Sequence, residues 1–585
     1  MKVRLAAITV IVLLVVSLGG ALGLSDQGGV SSARGAEVTP QTTAAADACA
    51  KLRALSAKGL KIVSATTQIA GAPVAGVKVD DYSGTSPEGV PLAGLPEFCR
   101  VIGAVSAGPG SNIGFEVWLP TTGWDGRLNG VGVGSFAGFI DHQALAVAVK
   151  AGQASVSTDT GHVGRGQGWL AIQDSAWAKG HPERVRDYGS RGVHLSAVAA
   201  KQIIQAFYGR KPDRAYFIGC SGGGREGLME ASRYPQDYDG IIAGAPAASL
   251  SDIAIIMSNS VQAQMAPGAA IRPEQASLLE AEVVRQCDAG DGVVDGLIAD
   301  PRRCRLDLTR LTCGVSHSAQ CFTPPQIAAL RRIYAGPRDR SGRPLASAYL
   351  PGGSEAVTSW AGSGWGAILK GAGDAPSDEV LADGLLLDLV QGRFGEPETF
   401  NFDTGPQGLR AVMSKDIDVA PDLTRFFDRG GKVILWHGWA DQAIPPEQTL
   451  HFYAAVLRRS GASARAASRL YMVPGVQHCM GGNGPASFGQ LSPPLSGDTP
   501  ENSLAAALQA WVEEDREPKA MIARFEDAGQ DGPTHDRQRL LCPWPAEAML
   551  RKGAEPNRAI SYSCVTRPAG SDRTQSDRLR PRAAG

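Results

Sequence analysis

Arg214-Ala215-Tyr216-Phe217-Ile218-Gly219 is an apolar run of strand length, and it leads straight into Cys220-Ser221-Gly222-Gly223. So apolar a run suits a strand buried on both faces. The spacing predicts a helix beyond it, from Gly227 to Tyr234, closed by Pro235. Residues 219–223 match G-x-S-x-G, and between a strand and a helix that pattern puts the serine on a sharp turn with its hydroxyl clear of the backbone. The helix that follows points its first N–H groups at developing negative charge. The Gly222 N–H is the expected first donor to an oxyanion. In a chain with 72 glycines, the pattern also fits an ordinary glycine-rich strand–helix turn. A phosphate loop is excluded, because no Gly-Lys-Ser/Thr ending follows.

The same alternation continues along the chain. Val101 to Val105, Ile113 to Leu119, Ala154 to Thr158, Gly240 to Gly244, Lys432 to Trp436 and Arg469 to Val473 read as strands. Val193 to Phe207 has helical spacing. Strands alternating with helices predict a parallel sheet covered on both faces. Residues 249–419 break the rhythm, with four of the ten cysteines, many Gly and Pro, and no strand series. They read as a lid inserted between two parts of a core, residues 47–248 and 420–565. A chain of 585 residues fits one large domain with such an insertion, or two to three ordinary ones.

Two later strands carry the partners that a nucleophilic serine needs. His437-Gly438-Trp439-Ala440-Asp441 follows the strand at 432–436, and Pro474-Gly475-Val476-Gln477-His478-Cys479 follows the strand at 469–473. The chain order Ser, Asp, His after successive strands is that of an α/β-hydrolase fold. In that arrangement Ser221 attacks, His478 takes its proton, and Asp441 fixes the imidazole tautomer. His437 competes as base, but it precedes the aspartate. His162, in Thr158-Asp159-Thr160-Gly161-His162, reads as structural. The glycine-rich loop Gly130 to Gly138 does not fit G-x-G-x-x-G; in this fold such a loop supplies the second oxyanion donor. If Ser221 and His478 meet, their neighbours Cys220 and Cys479 come within disulfide reach, roughly 5.5–6 Å between Cα atoms.

The N-terminus sets the compartment. Lys2 and Arg4 precede an apolar run from Leu5 to Leu18, and Ala21-Leu22-Gly23 supplies small residues at cleavage spacing. Residues 1–23 therefore read as a secretory signal peptide, with an uncleaved anchor as the alternative. Residues 24–46 read as a flexible leader and 566–585 as a frayed, Arg-rich tail. Ten cysteines in an exported chain imply five disulfides; no pair has the spacing of a zinc site. With 57 basic and 58 acidic residues, the charge balance points to no nucleic acid. Stable membrane association is expected only if the N-terminal segment stays uncleaved.

Asp288, Asp291 and Asp295 crowd three carboxylates into Cys287 to Leu297 among glycines. Hard oxygen ligands on such a turn suit Ca²⁺, although the spacing is not that of an EF-hand. A solvated acidic turn is the other reading.

Trp124-Asp125-Gly126-Arg127, Thr158 to His162, Tyr216 to Ser221, Gly223 to Gly227, Tyr238-Asp239-Gly240-Ile241 and the His478-Cys479 pair together resemble the tannase/feruloyl esterase family, from about Cys49 to Cys564. The resemblance implies an α/β-hydrolase core with a large inserted lid. It implies a serine carboxylic ester hydrolase that works through an acyl-enzyme and needs no redox or organic cofactor. It places the second oxyanion donor on Ser135 N–H, where many relatives carry Gly. It implies disulfides Cys49–Cys99, Cys220–Cys479, Cys287–Cys304, Cys313–Cys321 and Cys542–Cys564. It puts a structural Ca²⁺ on the Asp288, Asp291 and Asp295 side chains with the Val293 and Leu297 carbonyls. The expected substrate is a small-molecule aromatic ester of feruloyl type, ahead of gallate esters and terephthalate monoesters. A broad carboxylesterase, a secreted serine peptidase and a non-catalytic binding protein are the rival readings. The expected compartment is the periplasm or the medium.

Overall fold

The computed structural model describes residues 40–79, 89–165, 172–314, 320–356, 364–369, 377–525 and 537–566. The signal segment 1–23, residues 24–39 of the expected leader and the tail beyond Thr566 lie outside them. Helix α1 (Pro40–Lys51) begins inside the stretch read as leader.

Nine strands form one sheet: β1 (Leu60–Gln68), β2 (Phe98–Val105), β3 (Ile113–Pro120), β4 (Arg127–Val131), β5 (Ala154–Thr158), β6 (Arg214–Cys220), β7 (Gly240–Gly244), β8 (Lys432–Gly438) and β9 (Ser468–Val473). Their order across the sheet is β1-β2-β3-β5-β4-β6-β7-β8-β9. From β5 to β9 every pairing is parallel, whereas β1–β2, β2–β3 and β3–β5 are antiparallel. The sheet is thus mixed, and the all-parallel expectation holds only for the half that carries the candidate site. The reason is local for β2 and β3: the short connection 106–112 leaves no room for a crossover helix, so the strands turn back on each other.

Helices cover both faces. Before the insertion come α2 (His142–Lys150), α3 (Gly192–Tyr208) and α4 (Gly222–Arg233). The Asp141 carboxylate caps α2 by accepting from Ala144 N–H at 2.9 Å, and α3 stops where Gly209 turns to φ 76°. The insertion between β7 and β8 is helical, with α5 (Leu250–Ala263), α6 (Pro273–Cys287), α7 (Pro324–Ala335) and α8 (Gly405–Met413), and holds no strand among the described residues. After it, α9 (Pro446–Ala467) and α10 (Leu504–Glu514) complete the layers. Ala197, Ile203, Leu228 and Val456 belong to the core on one face of the sheet. Leu504, Leu508 and Trp511 pack with Trp436 and Tyr471 on the other.

The lid has its own core, built around Leu279, Val283, Leu330 and Ile333. Truncating one such leucine to alanine costs about 2–5 kcal/mol. At the lid's base the Val419 N–H donates to the Ala248 carbonyl at 2.9 Å, closing the insertion where the sequence rhythm breaks and resumes. The buried Arg225 of α4 donates to the carbonyls of Tyr188, Gly189 and Ile417, which ties α4 to the foot of the insertion.

The ten cysteines pair as Cys49–Cys99, Cys220–Cys479, Cys287–Cys304, Cys313–Cys321 and Cys542–Cys564. Among the described residues no helix is long and apolar enough to cross a membrane.

Candidate active site

Ser221 sits between β6 and α4 with φ 62° and ψ −122°, backbone that an L-residue rarely adopts. A conformation of that kind costs about 1–3 kcal/mol and persists only where its surroundings enforce it. They do: the Ser221 N–H donates to Gly244 O at 2.9 Å, and Ser221 O accepts from Arg225 N and Ala247 N. Helix α4 starts at Gly222, earlier than the apolar spacing predicts. The residues that hide its first turn are glycines, poor helix formers that are required here by close approach. A Cβ on Gly222 would stand 3.1 Å from Ser135 N, and one on Gly219 would come 2.5 Å from Gly223 O.

Asp441 and His478 come together after β8 and β9, with Nδ1 of His478 2.8 Å from Asp441 Oδ2. The other carboxylate oxygen accepts the Ala443 and Ile444 N–H groups, both at 2.8 Å. Burial pushes the Asp441 pKa up. The attraction of His478 and hydrogen bonds from His437 and His478 outweigh it and hold the carboxyl well below its usual range. Asp441 is therefore a carboxylate that can fix a neighbouring imidazole. The Gln442 side chain accepts from His478 N–H at 3.2 Å and steadies the loop. His437 has no exposed side-chain surface and lies on Asp441 rather than in the cavity, so it is not placed to act as the base.

The Cys220–Cys479 bridge, with Cα atoms 5.9 Å apart, joins the serine turn to the histidine loop. Ser221, Gly222, Ser135 and His478 all line one cavity of about 370 Å³. Phe136, Tyr188, Leu250, Ile253, Leu385 and Ile444 supply much of its wall, and the three leucine and isoleucine positions from 250 to 385 belong to the lid. No lysine or arginine is among the described lining residues.

The loop that carries Ser135 is braced at three places that the sequence did not reveal as functional. Glu226 of α4 accepts the Val133 N–H at 3.0 Å, and the Tyr188 hydroxyl donates to Ser135 O at 3.0 Å. His162, stacked on Trp177 with ring centres 3.7 Å apart, lies with Nε2 2.8 Å from Phe136 O. Burial pushes its pKa down to about 4, so the ring is neutral and donates to that carbonyl. His162 is structural, as its sequence context implies. Tyr188 and Glu226 reach the loop only through the fold, and no local motif marks them.

The acidic turn is self-satisfied in part. The Asp288 carboxylate accepts from Asp295 N and Gly296 N, Asp291 from Val293 N, and Asp295 from Leu297 N. Burial, with repulsion from Asp295 and Asp288, pushes the Asp291 pKa up to about 6, and Arg539 pairs with Asp295. The donor set is all oxygen and short of positive charge, which fits a hard cation. The tight three-ligand cluster among the described residues is another one, His194, Glu230 and Asp237, within 4.8 Å. There burial, with repulsion from Asp237, pushes the Glu230 pKa well above its ordinary value, while His194 and Lys201 face Asp237. The cluster ties His194 and Lys201 of α3 to Asp237 just beyond α4.

A family profile described as tannase and feruloyl esterase matches residues 99–565. An uncharacterized esterase of Xanthomonas campestris pv. campestris is 33% identical, over 91% of this chain and 93% of its own length. The mono(2-hydroxyethyl) terephthalate hydrolase of Piscinibacter sakaiensis is 30% identical, over 84% of this chain and 89% of that protein. The crystal structure of feruloyl esterase B from Aspergillus oryzae superposes with a TM-score of 0.77 at 24% identity, covering 89% of this chain and 100% of that one.

Proposed function

The chain belongs to the tannase and feruloyl esterase family and is a carboxylic ester hydrolase, and from that premise we propose that it cleaves esters of neutral aromatic acids, feruloyl esters above all, through an acyl-enzyme on Ser221. The observation that carries this reading is the His478–Asp441 contact at 2.8 Å, on a loop bridged by Cys479 to the residue before Ser221.

In this reading His478 removes the Ser221 proton as Oγ attacks the ester carbonyl. The tetrahedral oxyanion is met by the N–H groups of Gly222 and Ser135. Collapse expels the alcohol, which takes the proton from His478. Water then enters, gives a proton to His478, and releases the acid as Ser221 recovers its own. Asp441 steadies the imidazolium in both halves.

The lining supports a neutral acyl group. A terephthalate monoester carries a free carboxylate, and none of the described lining residues is a lysine or arginine that would pair with it on desolvation. Gallate needs partners for three hydroxyls, which a mostly apolar wall supplies poorly. We further propose a secreted or periplasmic location, because five disulfides suit an oxidising compartment. We also propose a structural Ca²⁺ held by Asp288, Asp291 and Asp295 with the Val293 and Leu297 carbonyls; it would supply the positive charge the turn lacks, with no part in the ester chemistry.

The test is hydrolysis of methyl ferulate, methyl gallate, mono(2-hydroxyethyl) terephthalate and p-nitrophenyl butyrate by wild type and Ser221→Ala. Methyl ferulate should give the highest kcat/KM, with turnover of all four lost in the variant. A preference for the terephthalate monoester would overturn the acyl assignment, and activity surviving in Ser221→Ala would overturn the nucleophile.

A further inference from the structure

We propose that His437 is a positioning residue: its Nε2–H shares the Asp441 carboxylate with His478 and so sets how strongly that carboxylate draws a proton onto the base. The inference rests on the Ser221–His478–Asp441 reading above.

His437 is the last residue but one of β8, in its buried run, and has no exposed side-chain surface. Its Nε2 lies 3.0 Å from Asp441 Oδ2 and 3.0 Å from the Ile444 carbonyl. Both neighbours are acceptors, so that nitrogen must carry a proton. On the other side of the ring, Nδ1 is 2.7 Å from Oγ1 of the buried Thr449 in α9. A hydroxyl can donate there, which leaves a neutral ring with its one N–H at Nε2. Oδ2 of Asp441 is thus contacted by two imidazoles, at 2.8 Å from His478 and 3.0 Å from His437, while Oδ1 takes two backbone N–H groups. The titratable groups acting on Asp441 are His437 from the strand before it and His478 from the loop after β9. Gln442 beside it and Thr449 from α9 add only neutral dipoles.

The consequence has a definite sign. An N–H directed at Oδ2 draws off part of the carboxylate's negative potential, and its positive end faces the imidazolium that forms on His478. Both effects disfavour protonated His478. Without that N–H, the carboxylate is free to stabilise the imidazolium more strongly. Because the reaction requires His478 unprotonated, the acid limb of kcat/KM against pH should move upward.

The experiment measures kcat/KM for methyl ferulate against pH in wild type, His437→Leu and His437→Gln, with Ser221→Ala alongside. The leucine variant should shift the acid limb upward by about 0.5 pH unit or more and lower the plateau by about tenfold. The glutamine variant, which keeps an N–H donor, should fall between it and wild type. An acid limb unmoved or moved downward in the folded leucine variant overturns the proposal, since a role in packing alone would lower activity without shifting it. If the leucine variant does not fold, isotope-labelled histidine NMR of the wild type decides. His437 should carry its proton on Nε2 and respond as His478 titrates; a proton on Nδ1, or no response, overturns the proposal. Turnover surviving in Ser221→Ala would instead bring down the triad reading itself, which separates the two failures.

Discussion

Glu226 shows how one buried side chain can serve the site and burden the fold. It holds the Val133 N–H and so the loop that presents Ser135. Burial pushes its pKa up from 4.5 to about 7, against the pull of Arg225. In the unfolded chain the group loses its proton near 4.5, while in the fold it keeps it to about 7. Stability from this residue is therefore full below 4.5, falls as pH rises, and the whole cost stands above 7. Glu226→Gln keeps an oxygen for Val133 and removes the charge. It should be more stable than wild type at pH 8, by roughly 2–3 kcal/mol, and about equal at pH 4. Denaturant melts at the two pH values check this; an unchanged difference between variant and wild type would contradict it. Nothing in Gly223-Gly224-Arg225-Glu226-Gly227 marks this glutamate as a brace. Its partner lies 93 residues earlier in the chain, and that pairing exists only once β4 and α4 are packed together.

At the scale of elements, the strand ends position Ser221, Asp441 and His478, and the disulfide joins two of the loops that carry them. Ser221 leaves β6, Asp441 follows β8 and His478 follows β9. The Cys220–Cys479 bridge spans 259 residues of sequence, so it restrains the unfolded chain as well as the site, typically by ~2–4 kcal/mol. Cys220→Ala with Cys479→Ala should cut kcat/KM for methyl ferulate about tenfold or more while far-UV circular dichroism stays unchanged. Undiminished turnover in a folded double variant would contradict the positioning role. The central strands were legible because their apolar runs are continuous, as in Arg214 to Gly219. The start of α4 was not, because Gly222, Gly223 and Gly224 satisfy a packing need that outweighs helix propensity. The antiparallel edge was legible only between β2 and β3, whose short connection 106–112 excludes a crossover helix; nothing local marks the direction of β1 or the β3–β5 pairing.

Across the whole molecule, a mixed sheet flanked by helices meets a helical insertion between β7 and β8. Leu250, Ile253 and Leu385 bring lid side chains into the cavity. At the base of the lid the Val419 N–H donates to the Ala248 carbonyl, beside the positions where the sequence rhythm breaks and resumes. The sequence did not show which lid residues face the serine, because that depends on how the lid helices pack. The acidic turn at Asp288 belongs to this scale too. Chelation of the purified protein should lower its melting temperature, with activity lost only as the protein unfolds. An unchanged melting temperature would mean that Arg539 and the backbone N–H groups balance the turn alone. Instant loss of turnover in folded protein would point to a catalytic metal.

The most direct test of the central claim is covalent labelling by a fluorophosphonate, mapped by peptide mass spectrometry. The account predicts a single adduct on Ser221, loss of methyl ferulate turnover in step with labelling, no adduct in Ser221→Ala, and much slower labelling in Asp441→Asn. An adduct elsewhere, or full turnover by protein completely labelled at Ser221, would contradict it.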